Sequence, residues 1–203
     1  MQHYAGALLC YTFGKDFGRI VLHMKALGLR NGDSIVFCFG EIDCRAHVFK
    51  HVTPERSYQD VIGELVKNYL LAVRRHIAAL PVQLRHVCVF NVPPPPSTSM
   101  EEIAENAAKA AAAGYINPNP FRGPPEERLK YARYFNQLAR ELCPKLGITF
   151  IDVYDKYADA NGYMNESLSD GGLHIADGRH ITEFLRERLE LRPPAPPPSS
   201  TST

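Results

Sequence analysis

Three short apolar runs, each rich in β-branched and aromatic residues, are spaced along the chain. They extend from Ser34 to Phe39, from Val87 to Val92 and from Ile148 to Val153. Apolar runs of this length, without regular polar alternation, are typical of strands that are buried on both faces of a parallel sheet. We therefore predict three central strands.

Segments with a helical period of apolar residues alternate with these runs. The strongest follows Thr53 and Pro54, which suit an N-cap and a first helical position, and Pro81 ends it. The other predicted helices extend from Phe17 to Leu27, from Pro125 to before Pro144, and onward from near Asp177. This alternation predicts an α/β fold, a flavodoxin-like three-layer sandwich with a parallel sheet.

Two segments fall outside the alternation. The connection from Pro93 to Gly123 contains four consecutive prolines and an alanine-rich piece, and a connection this long is predicted to be a lid or specificity element. Residues 193–203 are rich in proline and serine and are predicted to be a disordered tail. Residues 1–192 are therefore predicted to form one domain.

Composition excludes several classes of partner. Of the 203 residues, 45% are apolar and 22% are charged, and the formal net charge is +1. Such a balance is ordinary for a globular protein and gives no general attraction to nucleic acid or anionic membranes. The chain lacks an apolar run of membrane-spanning length, a signal-peptide pattern and regular cysteine spacing. We predict a cytoplasmic protein that binds neither nucleic acid nor membrane.

Polar residues follow each predicted strand at its carboxyl end. Gly40, Glu41 and Asp43 come after the first strand, Asn91 ends the second, and the stretch from Asp170 to His174 precedes the last helix. Ligands of parallel α/β sheets bind at this edge, so these groups are expected to meet there. A carboxylate beside an imidazole is the arrangement that acyl-transfer chemistry requires.

Two of these stretches resemble sequence blocks of the SGNH/GDSL hydrolases. Phe37 to Asp43 is similar to the third block, Gly-x-Asn-Asp, and Asp170 to His174 is similar to the fifth block, Asp-x-x-His. The resemblance extends over roughly residues 5–190. It implies an SGNH-hydrolase-like fold and hydrolysis of a small-molecule or glycan-linked acyl ester through a covalent serine intermediate.

The resemblance also implies a role for each matching residue. His174 would be the general base and Asp170 would orient it, while the turn from Gly40 to Asp43 would help to form the oxyanion site. Glu41 and Asn91 would contact the substrate. The chemistry requires no cofactor.

The chain departs from the family pattern in three ways. Ile42 stands where the family has an asparagine, and Asp170 lies four residues before His174 rather than three. The family's nucleophilic serine follows a strand upstream of the third block, and the 33 residues before Ser34 show no strand that ends in Gly-Asp-Ser. We therefore predict that the segment carrying the nucleophile is missing, and that the sheet edge it leaves uncovered promotes self-association.

Gly32-Asp33-Ser34 has the residues of the family's serine motif but not its position at the carboxyl end of a strand. Ser34 begins the first predicted strand, and a rise of about 3.3 Å per residue places it roughly 20 Å from the carboxyl edge. The tripeptide before it, Asn31-Gly32-Asp33, is typical of a turn between a helix and a strand.

Two alternatives to an active ester hydrolase remain open. The chain is either a catalytically inactive, binding-only relative or gene fragment, or a metal-dependent hydrolase. The second alternative would use Cys44, His47 and His51, which form a Cys-x-x-His-x-x-x-His series.

Overall fold

Three parallel strands form one sheet in the computed structural model of the protein, which describes residues 8–112, 121–171 and 173–190. They are β1 (Ser34–Phe37), β2 (His86–Phe90) and β3 (Thr149–Ile151), in the order β1-β2-β3. Ser34 lies opposite His86, and Cys88 lies opposite Thr149. The predicted α/β class and the three parallel strands are confirmed, although each strand is shorter than its apolar run.

The helices surround this sheet. They are α1 (Cys10–Lys15), α2 (Phe17–Ala26), α3 (Val48–His51), α4 (Tyr58–Ala78), α5 (Met100–Ala112), α6 (Pro125–Leu142), α7 (Tyr154–Tyr157) and α8 (Arg179–Leu189). A π-helical turn, Asp43–His47, leads into α3, and short 3-10 turns cover Pro144–Leu146 and Glu166–Leu168. None of the helices in the described ranges has the length and apolar character that crossing a bilayer requires.

The long central helix α4 begins at Tyr58, so the prediction that Thr53 caps it is wrong. Ser57 is the N-cap, and it forms a capping box in which Ser57 Oγ accepts from the Asp60 amide at 3.2 Å and Asp60 Oδ2 accepts from the Ser57 amide at 3.1 Å. This reciprocal pair satisfies two helix-end donors. Thr53 instead exchanges two backbone hydrogen bonds with Arg56 in the preceding turn.

The connection after β2 contains a helix of its own, α5, where an irregular loop was expected. Ser99 and Glu102 cap it, because the Ser99 amide donates to Glu102 Oε2 at 2.6 Å and the Glu102 amide donates to Ser99 Oγ at 3.1 Å. Alanine has the highest helix propensity, which explains the helical state of the alanine-rich stretch. The action of this connection as a lid stays a prediction, and the tail at residues 193–203 lies outside the described residues.

The sheet separates two hydrophobic clusters. The larger packs α1, α2, α4 and α6 against β1 and β2 through residues such as Ile35 and Phe37, and Phe13 stands near its centre, 5.5 Å from the Phe37 ring and 5.4 Å from the Tyr69 ring. The smaller packs α8 against Cys88, Phe90 and Ile151 on the opposite face. Strand residues alternate between faces, so Val36 points to the α8 side, where it remains 39% exposed.

Candidate functional site

The turn that follows β1 depends on Gly40. Its φ angle is +106°, a conformation that other residues rarely adopt, and a Cβ atom there would lie 2.7 Å from Phe135 Cζ and 3.0 Å from Val92 Cγ2. The Gly40 carbonyl accepts from the Cys44 amide at 2.9 Å, which starts the π-helical turn. The glycine therefore lets the chain reverse directly against α6. Its predicted contribution to an oxyanion site stays a prediction.

Asp43 connects this turn to α1. Its side chain is buried, with 2% of the residue exposed, and the carboxylate accepts the Cys10 amide at 2.7 Å and the Tyr11 amide at 3.1 Å. Burial raises the pKa of Asp43, whereas these two backbone hydrogen bonds act in the opposite direction. Both oxygens are thus engaged in holding the first turn of α1 at the end of β1.

Glu41 forms an ion pair with Arg45, which lies four residues later in the chain. Its Oε1 lies 2.5 Å from Arg45 Nε, and its Oε2 lies 3.3 Å from Arg45 Nη2. The two contacts make a bidentate pair, the geometry in which a guanidinium binds a carboxylate most strongly. A substrate contact by Glu41 stays a prediction, and the contact that the structure describes is the one with Arg45.

Asn91 joins the ends of β2 and β3. Its Oδ1 accepts the Val153 amide at 3.0 Å, and its Nδ2 donates to the Val92 carbonyl at 2.9 Å. The neighbouring Asn136 on α6 completes the arrangement by accepting the Val92 amide at 2.8 Å. Asn91 thereby stabilises the sheet edge, and its predicted role in substrate binding remains untested.

Asp170 and His174 come together despite the four-residue spacing. His174 Nδ1 lies 2.8 Å from Asp170 Oδ2, and the His174 amide donates to Asp170 Oδ1 at 3.2 Å. The Asp170 amide in turn donates to the His174 carbonyl, which closes the loop between them. The His174 side chain is 80% exposed. When Nδ1–H donates to the carboxylate, Nε2 is left as a basic nitrogen facing solvent.

The two predicted halves of the site have no polar contact with each other among the described residues. In the described part of the chain, His174 hydrogen-bonds only with Asp170, and no hydrogen bond or ion pair joins it to the turn from Gly40 to Asp43. The acid–base pair and the turn are each formed, but a reacting group between them is not defined by these contacts.

Ser34 occupies the position that its sequence context predicts. It is the first residue of β1 and pairs with His86, the first residue of β2, so it lies at the amino edge of the sheet. Its hydroxyl is buried and has no hydrogen-bond partner. Neither property suits a nucleophile that has to reach a base at the carboxyl edge.

The series of Cys44, His47 and His51 does not form a metal site. Cys44 lies in the hydrophobic core, whereas His51 is exposed, because the π-helical turn and α3 direct these side chains apart. Within the described ranges, no group of three or more histidine, cysteine or acidic residues is placed to hold a metal ion. Burial also raises the pKa of Cys44 well above that of a free thiol, so it is not an activated nucleophile either. The described residues therefore do not support a metal-dependent hydrolase that uses Cys44, His47 and His51.

A pocket that the sequence did not indicate opens between α1, α3 and α4. Its volume is about 390 Å³, within the range of small-molecule sites. It is lined by apolar Leu9, Val48, Val61 and Leu65, and by polar residues that include Tyr11, Lys15, Asp43, His47, Arg56 and Glu64. The lining comes from several elements, and it includes Asp43, His47 and His51, which the sequence had indicated for other roles.

Comparisons with known proteins give a likeness of fold alone. No protein-family profile and no curated protein matches the sequence. A solved structure from Streptococcus pneumonia, provisionally described as a platelet activating factor, matches with a TM-score of 0.50 and 17% identity, over 85% of this chain and 69% of that chain.

Two structures of the Drosophila Oskar protein match more weakly. The OSK domain has a TM-score of 0.43 and 10% identity, over 88% of this chain and 72% of that chain. The CTD has a TM-score of 0.44 and 10% identity, over 88% and 71%. These scores are too low to carry an argument about function.

Proposed function

We propose that the chain is an ester hydrolase domain of the SGNH type, with His174 as general base and Asp170 as the residue that orients it. The observation that carries this proposal is the 2.8 Å contact between His174 Nδ1 and Asp170 Oδ2, with the imidazole exposed. The fold shared with the streptococcal protein is compatible with the proposal.

The chemistry follows from the orientation of the imidazole. His174 Nε2 takes the proton of a serine hydroxyl as its oxygen attacks the acyl carbonyl, and the imidazolium then gives that proton to the leaving alcohol. Asp170 stabilises the imidazolium. The acyl-enzyme is hydrolysed by water with the same base. The backbone of the turn at Gly40 is proposed to face the oxyanion, and the substrate is proposed to be a small-molecule or glycan-linked acyl ester.

No described serine hydroxyl hydrogen-bonds with His174, so the nucleophile has to be identified by experiment. Ser34 is at the wrong edge of the sheet, so Ser34→Ala is expected to leave the activity unchanged. Labelling with a fluorophosphonate, mapped by mass spectrometry, would identify the nucleophile directly. Label on Ser34 would overturn the assignment.

The decisive test is hydrolysis of a small activated ester such as p-nitrophenyl acetate. His174→Ala is expected to lower kcat/KM by at least about 10²-fold, the size of a general-base contribution. Asp170→Asn is expected to lower it less, because the base itself remains. The matched control is His23→Ala on α2, which is expected to keep the wild-type rate. Equal rates for His174→Ala and wild type would rule out the proposal.

A binding-only relative is the second candidate. It is favoured by one observation, namely that in the described ranges no side-chain hydroxyl or thiol hydrogen-bonds with His174. This candidate predicts that a non-hydrolysable phosphonate ester perturbs the His174 ring resonances in an NMR titration, while no ester is turned over.

A further inference from the structure

Arg128, in the first turn of α6, is a buried cation with incomplete hydrogen bonding. The residue is 0% exposed. Its Nη2 donates to the Thr98 carbonyl, but its Nε and Nη1 have no hydrogen-bond partner in the structure. Burying a charged group without a counter-charge and with unsatisfied donors is among the costliest arrangements in a protein interior.

Among the described residues, no carboxylate forms an ion pair with Arg128. The Phe121 ring lies 4.7 Å from the Arg128 guanidinium and 5.4 Å from that of Arg45, so one aromatic ring stands between two cations. The nearby carboxylate of Glu41 is engaged with Arg45. Glu126, on the same helical turn, is exposed and forms no described ion pair with Arg128. Within the part of the chain that the structure describes, Arg128 is thus left without a directly bonded carboxylate.

Burial lowers the pKa of Arg128, and Arg45 acts in the same direction, whereas Tyr163 and Glu126 act in the opposite direction. An arginine nevertheless keeps its proton at any ordinary pH. The guanidinium therefore stays charged, and its unbonded Nε and Nη1 donors are suited to an anion.

The cluster lies where parallel α/β sheets bind ligands. Thr98, which follows β2, accepts a hydrogen bond from Arg128, and Tyr163, which follows β3, interacts with it electrostatically. Glu41, which follows β1, is linked to the cluster through its ion pair with Arg45. A guanidinium at this edge is suited to binding an anionic ligand, because its planar N–H groups match the oxygens of a carboxylate or a phosphate.

We propose that Arg128 anchors a binding site for the carboxylate or phosphate group of a ligand, covered by Phe121. The anion pairs with Nε and Nη1 when the half-buried Phe121 ring moves aside. This site requires neither a nucleophile nor ester hydrolysis, so it stands whether the domain is an enzyme or a binding-only relative.

The test measures melting temperature and affinity with inorganic phosphate and with acetate, against sodium chloride at matched ionic strength. Phosphate, acetate or both are expected to raise the melting temperature of the wild-type protein more than chloride does, and their relative effects identify the preferred anion. Calorimetric titration is expected to give one site per chain. Absence of any anion-specific shift in the wild-type protein would overturn the proposal.

Two variants and one control assign the site. Arg128→Met is expected to melt no lower than the wild type without added anion, because an unpaired buried charge has been removed, and to lose the anion-dependent shift. Arg128→Lys keeps a charge without the fork and is expected to bind about tenfold more weakly. Arg133→Met, which changes an exposed arginine on the same helix, is expected to behave as the wild type.

An anion-dependent shift that persists in Arg128→Met would place the site elsewhere and reject the assignment. If Arg128→Met does not fold, wild-type affinity in Arg128→Lys would reject it equally. Esterase activity is measured separately, so failure of the hydrolase proposal leaves this outcome unaffected.

Discussion

Replacing Gly40 by alanine tests the turn on which the candidate site is built. The new methyl group would lie 2.7 Å from Phe135 Cζ, 2.9 Å from Phe135 Cε2 and 3.0 Å from Val92 Cγ2, on a backbone with φ of +106°. Phe135 is fully buried on α6 and has little freedom to withdraw. The substitution therefore combines a steric clash with a backbone conformation unsuited to a side chain.

The magnitude follows from these two contributions. Forcing a non-glycine residue into such a conformation costs about 1–3 kcal/mol, and overpacking a filled core costs about 1–3 kcal/mol more. The smaller entropy of the unfolded alanine chain offsets about 0.4–1 kcal/mol. We expect Gly40→Ala to lower the free energy of unfolding by about 1–5 kcal/mol. This corresponds to a decrease in Tm of about 2–20 °C.

Urea unfolding followed by circular dichroism measures this difference, and Gly63→Ala is the matched control. Gly63 lies inside α4, and a Cβ there meets nothing within 4 Å, so alanine is expected to stabilise the protein by about 0.5–1 kcal/mol. In a Phe135→Leu background, Gly40→Ala is expected to cost less, because the clashing ring atoms are absent. An unchanged free energy of unfolding for Gly40→Ala would refute the reasoning about this turn.

Two further predictions concern pH and association. Burial lowers the pKa of His76, so its imidazole binds a proton more weakly in the folded chain than in the unfolded chain. The free energy of unfolding is therefore expected to fall as the pH drops below about 6.5. His76→Phe should flatten this dependence in urea titrations between pH 7.5 and 5, and an unchanged slope would contradict the assignment. We also propose that the chain self-associates at β1, which is an edge strand of the sheet and leaves the Val36 side chain exposed on the face toward α8. Light scattering should show that Val36→Lys shifts the protein toward monomer, whereas the control Leu71→Lys on α4 should not. A strictly monomeric wild-type protein would disprove the self-association.

The sequence predicted the elements whose signals are local. The apolar stretch from Val87 to Phe90 predicts β2, which extends from His86 to Phe90. Pro125 marks the start of α6 because proline suits a first helical position. Thr53 was wrongly predicted as the N-cap of α4 because a proline follows it. Ser57 and Asp60 form the reciprocal hydrogen bonds of the cap. Ser57-Tyr58-Gln59-Asp60 has the capping-box pattern, so the sequence contained the signal that the prediction overlooked.

Parts of the site depend on contacts that no local pattern encodes. Arg128 follows two glutamates in a helical first turn, which is typical of a solvent-exposed position, yet the packing of Phe121 and Thr98 buries it. Asp43 matched a family motif, but its hydrogen bonds reach 33 residues back to Cys10. Long-range contacts of this kind decide burial and charge, and they are absent from periodicity and spacing.

The hydrogen bonds from the Cys10 and Tyr11 amides to Asp43 couple the first turn of α1 to the end of β1. An isolated helix of six residues is unstable in water, so α1 depends on the packing of Phe13 in the core and on the hydrogen bonds from Asp43 to its first turn. The amide protons of Cys10 and Tyr11 should therefore exchange with solvent only when the Gly40–Asp43 turn opens. Hydrogen exchange at these two positions would report, from the far end of the chain, how often that sheet edge comes apart.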